Sequence, residues 1–286
     1  MCVSSEEISA ATSPGWSWDP TLYAGSAHFY TVGRVGYPVE VVEVLVEALA
    51  LDGLGRSLDV GCGPGSLTLL LAPYFAEAIG VDADADMLAE AARQARRRNV
   101  RNVRWRQLRA EELPAELPAV RVATFAQSLH WMDRGHELVR VRAMLEPNGA
   151  AVHVHATTHQ GIDNDVPLPY PRPPRERITQ LVHRYLGPQR RAGQGVLTPG
   201  SSETEEVIYR AAGFTGPERF EVPDRTAQRT VEEIAASVYS LSSASPHLFG
   251  DRLEQFDTEL RGLLAQTAEH GCFSEQMRSI TLDIWR

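Results

Sequence analysis

Two hydrophobic rhythms alternate along the middle of the chain. Short apolar runs at 57–61, 78–82, 103–108, 122–127 and 151–156 read as strands. Between them lie stripes at helical spacing, at 66–72, 86–97 and 133–145. An earlier helix opens at Pro38 and carries Val41, Val42, Val44, Leu45, Ala48 and Leu49 on one stripe. The rhythm stops at Thr157, where "VPLPYPRPP" and one helical piece at 178–186 interrupt it. It resumes with a helix at 203–212, a strand at 220–222, helices at 231–241 and 251–268, and a last strand at 279–285. Strands and helices in this order predict an α/β fold with a doubly wound, mostly parallel sheet of seven strands. The implied layout is a tail and aromatic lid over 1–36, a core over 37–156 and a cap insertion over 157–200. Residues 201–286 then complete the core and add two helices on the substrate side.

Composition narrows the partners. The 286 residues carry a formal charge of −9, which disfavours broad binding to nucleic acid or an anionic membrane. Eight arginines crowd "RQARRRNVRNVRWRQLR", which reads as a solvated helix face and an edge strand. Lysine is absent from the sequence, so neither a lysine Schiff base nor a P-loop lysine is available. Cys2, Cys62 and Cys272 have no metal-ligand or disulfide spacing, which fits a reducing cytoplasm. The first residues lack the basic and apolar stretches of a signal peptide, and no apolar run is long enough to span a membrane. The expected partner is a small molecule, with no nucleic acid and no membrane, and the expected state is a monomer or homodimer.

The chemistry concentrates in "LDVGCGPGSLTLLLA", where a strand ending near Asp59 runs through Gly61, Gly63 and Gly65 into a helix. A dinucleotide fingerprint would need glycine where Ser66 stands. A bare backbone with few donors, stiffened by Pro64, suits a nucleoside without phosphates. The next strand ends in Asp82, a carboxylate placed to accept from both ribose hydroxyls, while Asp84 or Asp86 is available to cap the following helix.

With "IGVDADADML", "WRQLRAEELP" and "FAQSLHWMD", this pattern resembles the class I S-adenosylmethionine-dependent methyltransferases, and among them the small-molecule, trans-aconitate-methyltransferase-like group. The likeness runs from about Tyr30 to Ala156. It implies that S-adenosyl-L-methionine is the cofactor and S-adenosyl-L-homocysteine the product. Gly61, Gly63 and Gly65 would border its methionine and ribose, Asp82 would hold the ribose, and Ala83 and Met87 would flank the adenine. Ala110 and Glu111 would meet the adenine edge and Gln127 the methionine arm. Arg109 stands where many members have an acid, and Arg121 stands near another missing one. The run "AHFYTVGRVGYP" resembles the family's Tyr-x-x-x-Arg-x-x-Tyr-Pro lid, with Tyr30 and Arg34 in reach of the cofactor carboxylate.

Methyl transfer to an O, N or C nucleophile of a small metabolite, in specialised metabolism, is the expected activity. A cyclase or other non-methylating user of the same cofactor, or a silent binder, stays open. His130 is the candidate general base and Trp131 a stacking or sealing residue on the substrate side. Tyr170, Tyr185, Tyr239, His247 and Phe249 are available to line the acceptor pocket, and His155 to reach its mouth. His153 and His155 share a strand face with His159 following, yet no further ligand is spaced to help, so no metal is expected.

Overall fold

The apolar runs become a seven-stranded sheet because each is followed by a segment that can turn back over one of its faces. The structure, a computed structural model, describes residues 19–188, 191–192, 195–196 and 205–286. Trp16, Trp18 and, of the expected cap insertion, residues 189–190, 193–194 and 197–200 lie outside the described residues. In chain order the elements are α1 (Ala27–Gly33), α2 (Val39–Ala48), β1 (Arg56–Val60), α3 (Thr68–Leu71), β2 (Glu77–Asp82), α4 (Ala85–Arg97), β3 (Val103–Gln107) and β4 (Val120–Ala126). Then come α5 (Arg134–Met144), β5 (Leu145–His155), α6 (Arg175–Leu186), the two-residue strands β6 (Arg191–Ala192) and β7 (Gly195–Val196), and α7 (Glu205–Ala211). β8 (Glu218–Val222), β9 (Arg225–Thr230), α8 (Val231–Tyr239), α9 (Leu253–Thr267), β10 (Cys272–Met277) and β11 (Ile280–Trp285) complete the chain.

The strand order is β3-β2-β1-β4-β5-β11-β8, parallel from β3 to β5, with β11 antiparallel to both its neighbours. The expected doubly wound, mostly parallel sheet of seven strands is therefore present. Sheet growth reverses direction between β1 and β4, and a ligand crevice belongs at the carboxyl ends of these strands. One face packs Leu58, Ile79, Phe125, Leu138, Tyr209 and Trp285, and the other packs Val41, Leu45, Leu71, Val152 and Leu282.

A third apolar cluster stands apart from the sheet. It joins Ile178 and Leu181 of α6, Ile234 and Val238 of α8, Phe249, Phe256, Leu260 and Leu264 around α9, and Phe273 of β10. The cap is thus composite, built from α6 after β5 and from the excursion between the adjacent strands β8 and β11. β9 and β10 pair antiparallel within that excursion, from Cys272↔Thr230 to Met277↔Arg225, and were not anticipated because "RTAQRT" is polar at every position but Ala227.

One carboxylate joins these parts. Glu275 of β10 accepts from Arg175 Nε (3.1 Å) and Nη2 (2.9 Å), from Arg229 Nη1 (3.0 Å) and from the Gly161 N–H (3.0 Å). Arg229 is only 3% exposed and also donates to the carbonyls of Gly33 (2.8 Å) and Glu233 (3.0 Å), at the end of α1 and within α8. α1 itself lies directly on α8; a Cβ at Gly33 would fall 2.3 Å from the Ala236 carbonyl carbon. Removing the charge on Glu275 strands a buried guanidinium. Glu275→Gln is expected to cost about 3–5 kcal/mol in urea unfolding, whereas Glu232→Gln, at an exposed pair with Arg261, should change it by less than about 1 kcal/mol.

Candidate active site

The turn leaving β1 folds back over the end of β2, and the sequence makes that possible with three glycines at positive φ: Gly61 (+68°), Gly63 (+52°) and Gly65 (+77°). They serve different neighbours. A Cβ at Gly61 would lie 2.6 Å from Ser128 Cβ, whose hydroxyl donates to the Val60 carbonyl at 2.5 Å. A Cβ at Gly65 would lie 2.6 Å from Trp105 Cη2, and Trp105 also covers Gly80. Only Gly63 has open space where its Cβ would be. Gly65, expected at the cofactor, does not line the cavity; its bareness accommodates the β3 tryptophan.

The cavity over this turn has a volume of about 420 Å³. Its floor holds Gly61, Gly63, Asp82, Ala83 and Met87; Ala110, Glu111 and Gln127 also line it. Tyr30 and Arg34 reach it from α1, and Trp131 from the turn after β4. The sequence reading did not single out Tyr23, Tyr37, Met132 and Thr158, which line it too. For Tyr23 and Tyr37 the signal was the aromatic density between the tail and α2.

Asp82 is the polar centre. Its Oδ2 accepts from the Gly63 N–H at 2.8 Å and its Oδ1 from the Asp84 N–H at 2.9 Å, while Asp84 caps α4 through the Asp86 and Met87 N–H groups. Burial raises the Asp82 pKa to about 6 against the lowering effect of those two bonds. Each carboxylate oxygen keeps a further lone pair for a ligand hydroxyl. Asp59 lines the cavity but is engaged within the fold, accepting from Thr68 Oγ1 (2.5 Å) and Thr124 Oγ1 (2.8 Å). Burial holds its pKa above the ordinary carboxylate value.

Aromatic rings and one cation form the roof. Tyr23 meets Tyr30 and Trp131 edge-on at 6.3 and 5.7 Å between centroids. The Arg34 guanidinium lies 4.3 Å from the Tyr30 ring centroid and donates to Ser240 Oγ and O, both at 2.9 Å. Gln127 takes a left-handed conformation (φ +60°) at the end of β4 and donates from Nε2 to the Val154 carbonyl at 3.1 Å. For a residue with a Cβ this backbone is strained, and it is held at the mouth of the crevice. Arg109 and Arg121, the two departures in charge, bind Glu112 and Asp52, respectively.

Several expected residues lie elsewhere. His130 is exposed beside the crevice and does not line the cavity; desolvation at its ring atoms and the nearby Arg134 charge lower its pKa to about 4. Tyr239 is 2% exposed inside the cap cluster, its hydroxyl donating to Asp257 at 3.0 Å. Phe249 stacks on Phe256 in that cluster, and the Tyr185 hydroxyl donates to Glu259 at 2.7 Å. These rings are consumed in making the cap, since α6, α8 and α9 have no other core. Tyr170 and His247 do not line the cavity either. His155 lines a second cavity of about 780 Å³, which Gln127 borders from the other side.

Residues 58–149 match the family described as "Methyltransferase domain". Among curated proteins, the chain is 31% identical over 127 residues to the probable S-adenosylmethionine-dependent methyltransferase CRG1 of Saccharomyces cerevisiae, covering 43% of each chain. It is 36% identical over 141 residues to a trans-aconitate 2-methyltransferase of Pseudomonas paraeruginosa, covering 48% of this chain and 46% of that one. The chain spans about half the length of the curated relatives it matches. In fold it is similar to the [4+2]-cyclase SpnF, with a TM-score of 0.50 and 19% identity over 93% of this chain and 94% of that one. Among the described residues, no helix is long and apolar enough to cross a membrane.

The division of labour among the glycines has a measurable consequence. Gly63→Ala is expected to cost about 1–2 kcal/mol, the left-handed strain alone. Gly65→Ala carries the same strain and must also displace Trp105, adding about 1–3 kcal/mol. Urea unfolding of the two variants should show that gap.

Proposed function

From the premise that the chain carries a methyltransferase domain of the class I type, with S-adenosylmethionine as its cofactor, we propose that it methylates a small organic acceptor in the cavity over the β1 turn. The observation carrying this reading is the pairing of Asp82 with Gly63. A carboxylate with acceptor capacity to spare faces a turn whose one unfilled Cβ position opens on the cavity. A phosphate-free nucleoside fits these groups, because the carboxylate would repel a phosphate and accept sugar hydroxyls. Ala83, Met87 and Ala110 supply apolar flanks for a base, and Glu111 stands beside them. Tyr30 and Arg34 cover the amino-acid end, with Arg34 held in place by Ser240.

When bound, S-adenosylmethionine supplies a methyl group already activated on a sulfonium. The chain's part is then to hold the acceptor in line and exclude water. Such positioning can remove about 7–11 kcal/mol from a barrier. Tyr23, Tyr30 and Trp131 form a rigid wall suited to an apolar or planar acceptor. Burial keeps the Tyr23 and Tyr37 hydroxyls and the Cys62 thiol protonated. With His130 outside the lining, the reading favours an acceptor whose lone pair is free at neutral pH, such as a carboxylate or an aromatic amine. The trans-aconitate specificity named for one relative is of that kind.

Calorimetry with S-adenosylmethionine and S-adenosylhomocysteine tests the site, and transfer of labelled methyl to a panel of small carboxylates and amines tests the activity. Binding of neither ligand would overturn the proposal. Asp82 accepts hydroxyls only as the carboxylate, so affinity is fully present above its pKa of about 6 and falls as the pH drops through it. The dissociation constant should rise roughly tenfold between pH 7 and 5. Asp82→Asn should bind weakly and lose that pH dependence. His130→Ala should keep turnover within a few-fold of the parent at neutral pH, because a base with a pKa of about 4 is a weak proton acceptor there.

A further inference from the structure

At the carboxyl end of β5 the chain assembles a group of side chains that methyl transfer does not use. His153 and His155 project from the same face of the strand with their rings stacked at 4.1 Å. Glu205, the first residue of α7, brings one oxygen to both: Oε2 lies 3.5 Å from His153 Nδ1 and 3.4 Å from His155 Nδ1. One ligand atom from each of the three side chains lies within 4.8 Å of the others. Zinc binds histidine nitrogen and carboxylate oxygen at about 2.0–2.2 Å, so neighbouring ligand atoms of a tetrahedral site stand roughly 3.3–3.5 Å apart. Both nitrogen-to-oxygen separations match that edge.

The surroundings set the histidine lone pairs. Arg219 donates to both oxygens of Asp283, from Nε at 2.6 Å and Nη2 at 2.8 Å, and keeps it an acceptor. His155 Nε2 lies 3.2 Å from Asp283 Oδ2 and donates its proton there. With that proton on Nε2, the Nδ1 lone pair faces the Glu205 oxygen. Two acceptors so placed need a cation between them. A carboxylate that takes one ring N–H of a histidine and directs its other nitrogen is the support that metal-binding histidines ordinarily have.

We infer that His153, His155 and Glu205 form a binding site for one divalent transition-metal ion of the zinc class, oriented by Asp283 and Arg219, with a coordination position left for water. The site would tie the start of α7 to the end of β5, beside the second cavity. It lies apart from the Asp82 cavity and does not depend on what binds there. The full-length protein, stripped with a chelator and titrated with Zn²⁺ against a chromophoric competitor, should bind one ion per chain. Glu205→Gln and His155→Gln should each weaken that binding at least about tenfold, while His136→Ala, at an exposed histidine on α5, should leave it unchanged. Glu205 sits at a 39% exposed position, so its variant tests the site even where the His155 variant folds poorly. Co²⁺ in place of Zn²⁺ should give a visible absorption band that both variants lose. Absence of stoichiometric binding, or binding that both variants retain, would show that only a proton bridges these groups and would overturn the inference.

Discussion

The hydrogen bond from the Gly63 N–H to the Asp82 carboxylate constrains the rest of the site. To make it, the chain leaving β1 must curl at once over the end of β2, which takes left-handed backbone at alternate positions. The curl brings the turn against Ser128 on one side and Trp105 on the other, so side chains are excluded at Gly61 and Gly65 by protein neighbours. What remains bare toward the cavity is Gly63. The same bond presents Asp82 with its second acceptor directions turned outward. Desolvation of that carboxylate is a standing cost to the folded chain, and a ligand with vicinal hydroxyls is a means of offsetting it.

The cavity residues carried by α1 are tethered to α8. Tyr30 and Arg34 ride on and just after α1, and α1 is packed backbone-to-backbone on α8 at Gly33. Arg229 bonds the last carbonyl of α1, and Arg34 bonds Ser240 at the end of α8. Glu275 then connects Arg229 to Arg175 and the 161 loop. The segment around α1 and the layer of α6, α8 and β10 therefore share one network of charges, which binds α1 to α8 through side chains as well as backbone.

Much of this was legible in the sequence because burial on both faces leaves unbroken apolar runs. β1, β2, β4 and β11 were found within a few residues for that reason, and Asp82 was found because it ends such a run one unit after the glycines. β9 and β10 were hidden: Arg229 and Glu275 are buried as a pair, so positions inside the cap read as surface. The cap's rings were legible as aromatics but not in role, since spacing cannot tell a ring that faces a cavity from one that replaces a missing core. Tyr239 and Phe249 went to the core of the cap. Gly65 fails for a related reason: a bare Cα looks the same whether a ligand or Trp105 approaches it. Glu205 lies fifty residues from His155, and only the packing of α7 against the sheet joins them.

The end of β4 separates the two regions of chemistry. Gln127 holds a left-handed backbone there, and its amide is tied to Val154 of β5, so the strand end cannot relax into an ordinary turn. On one side lie Asp82 and the turn, where burial holds the Tyr23, Tyr37 and Cys62 protons and Asp59 is engaged by Thr68 and Thr124. On the other, β5 continues to His153 and His155. Burial and the neighbouring His155 lower the His153 pKa to about 3, so its imidazole is uncharged at neutral pH. Both imidazoles lie outside the lining of the cavity over the β1 turn, and Gln127, tied to Val154, stands at the strand end between β4 and β5.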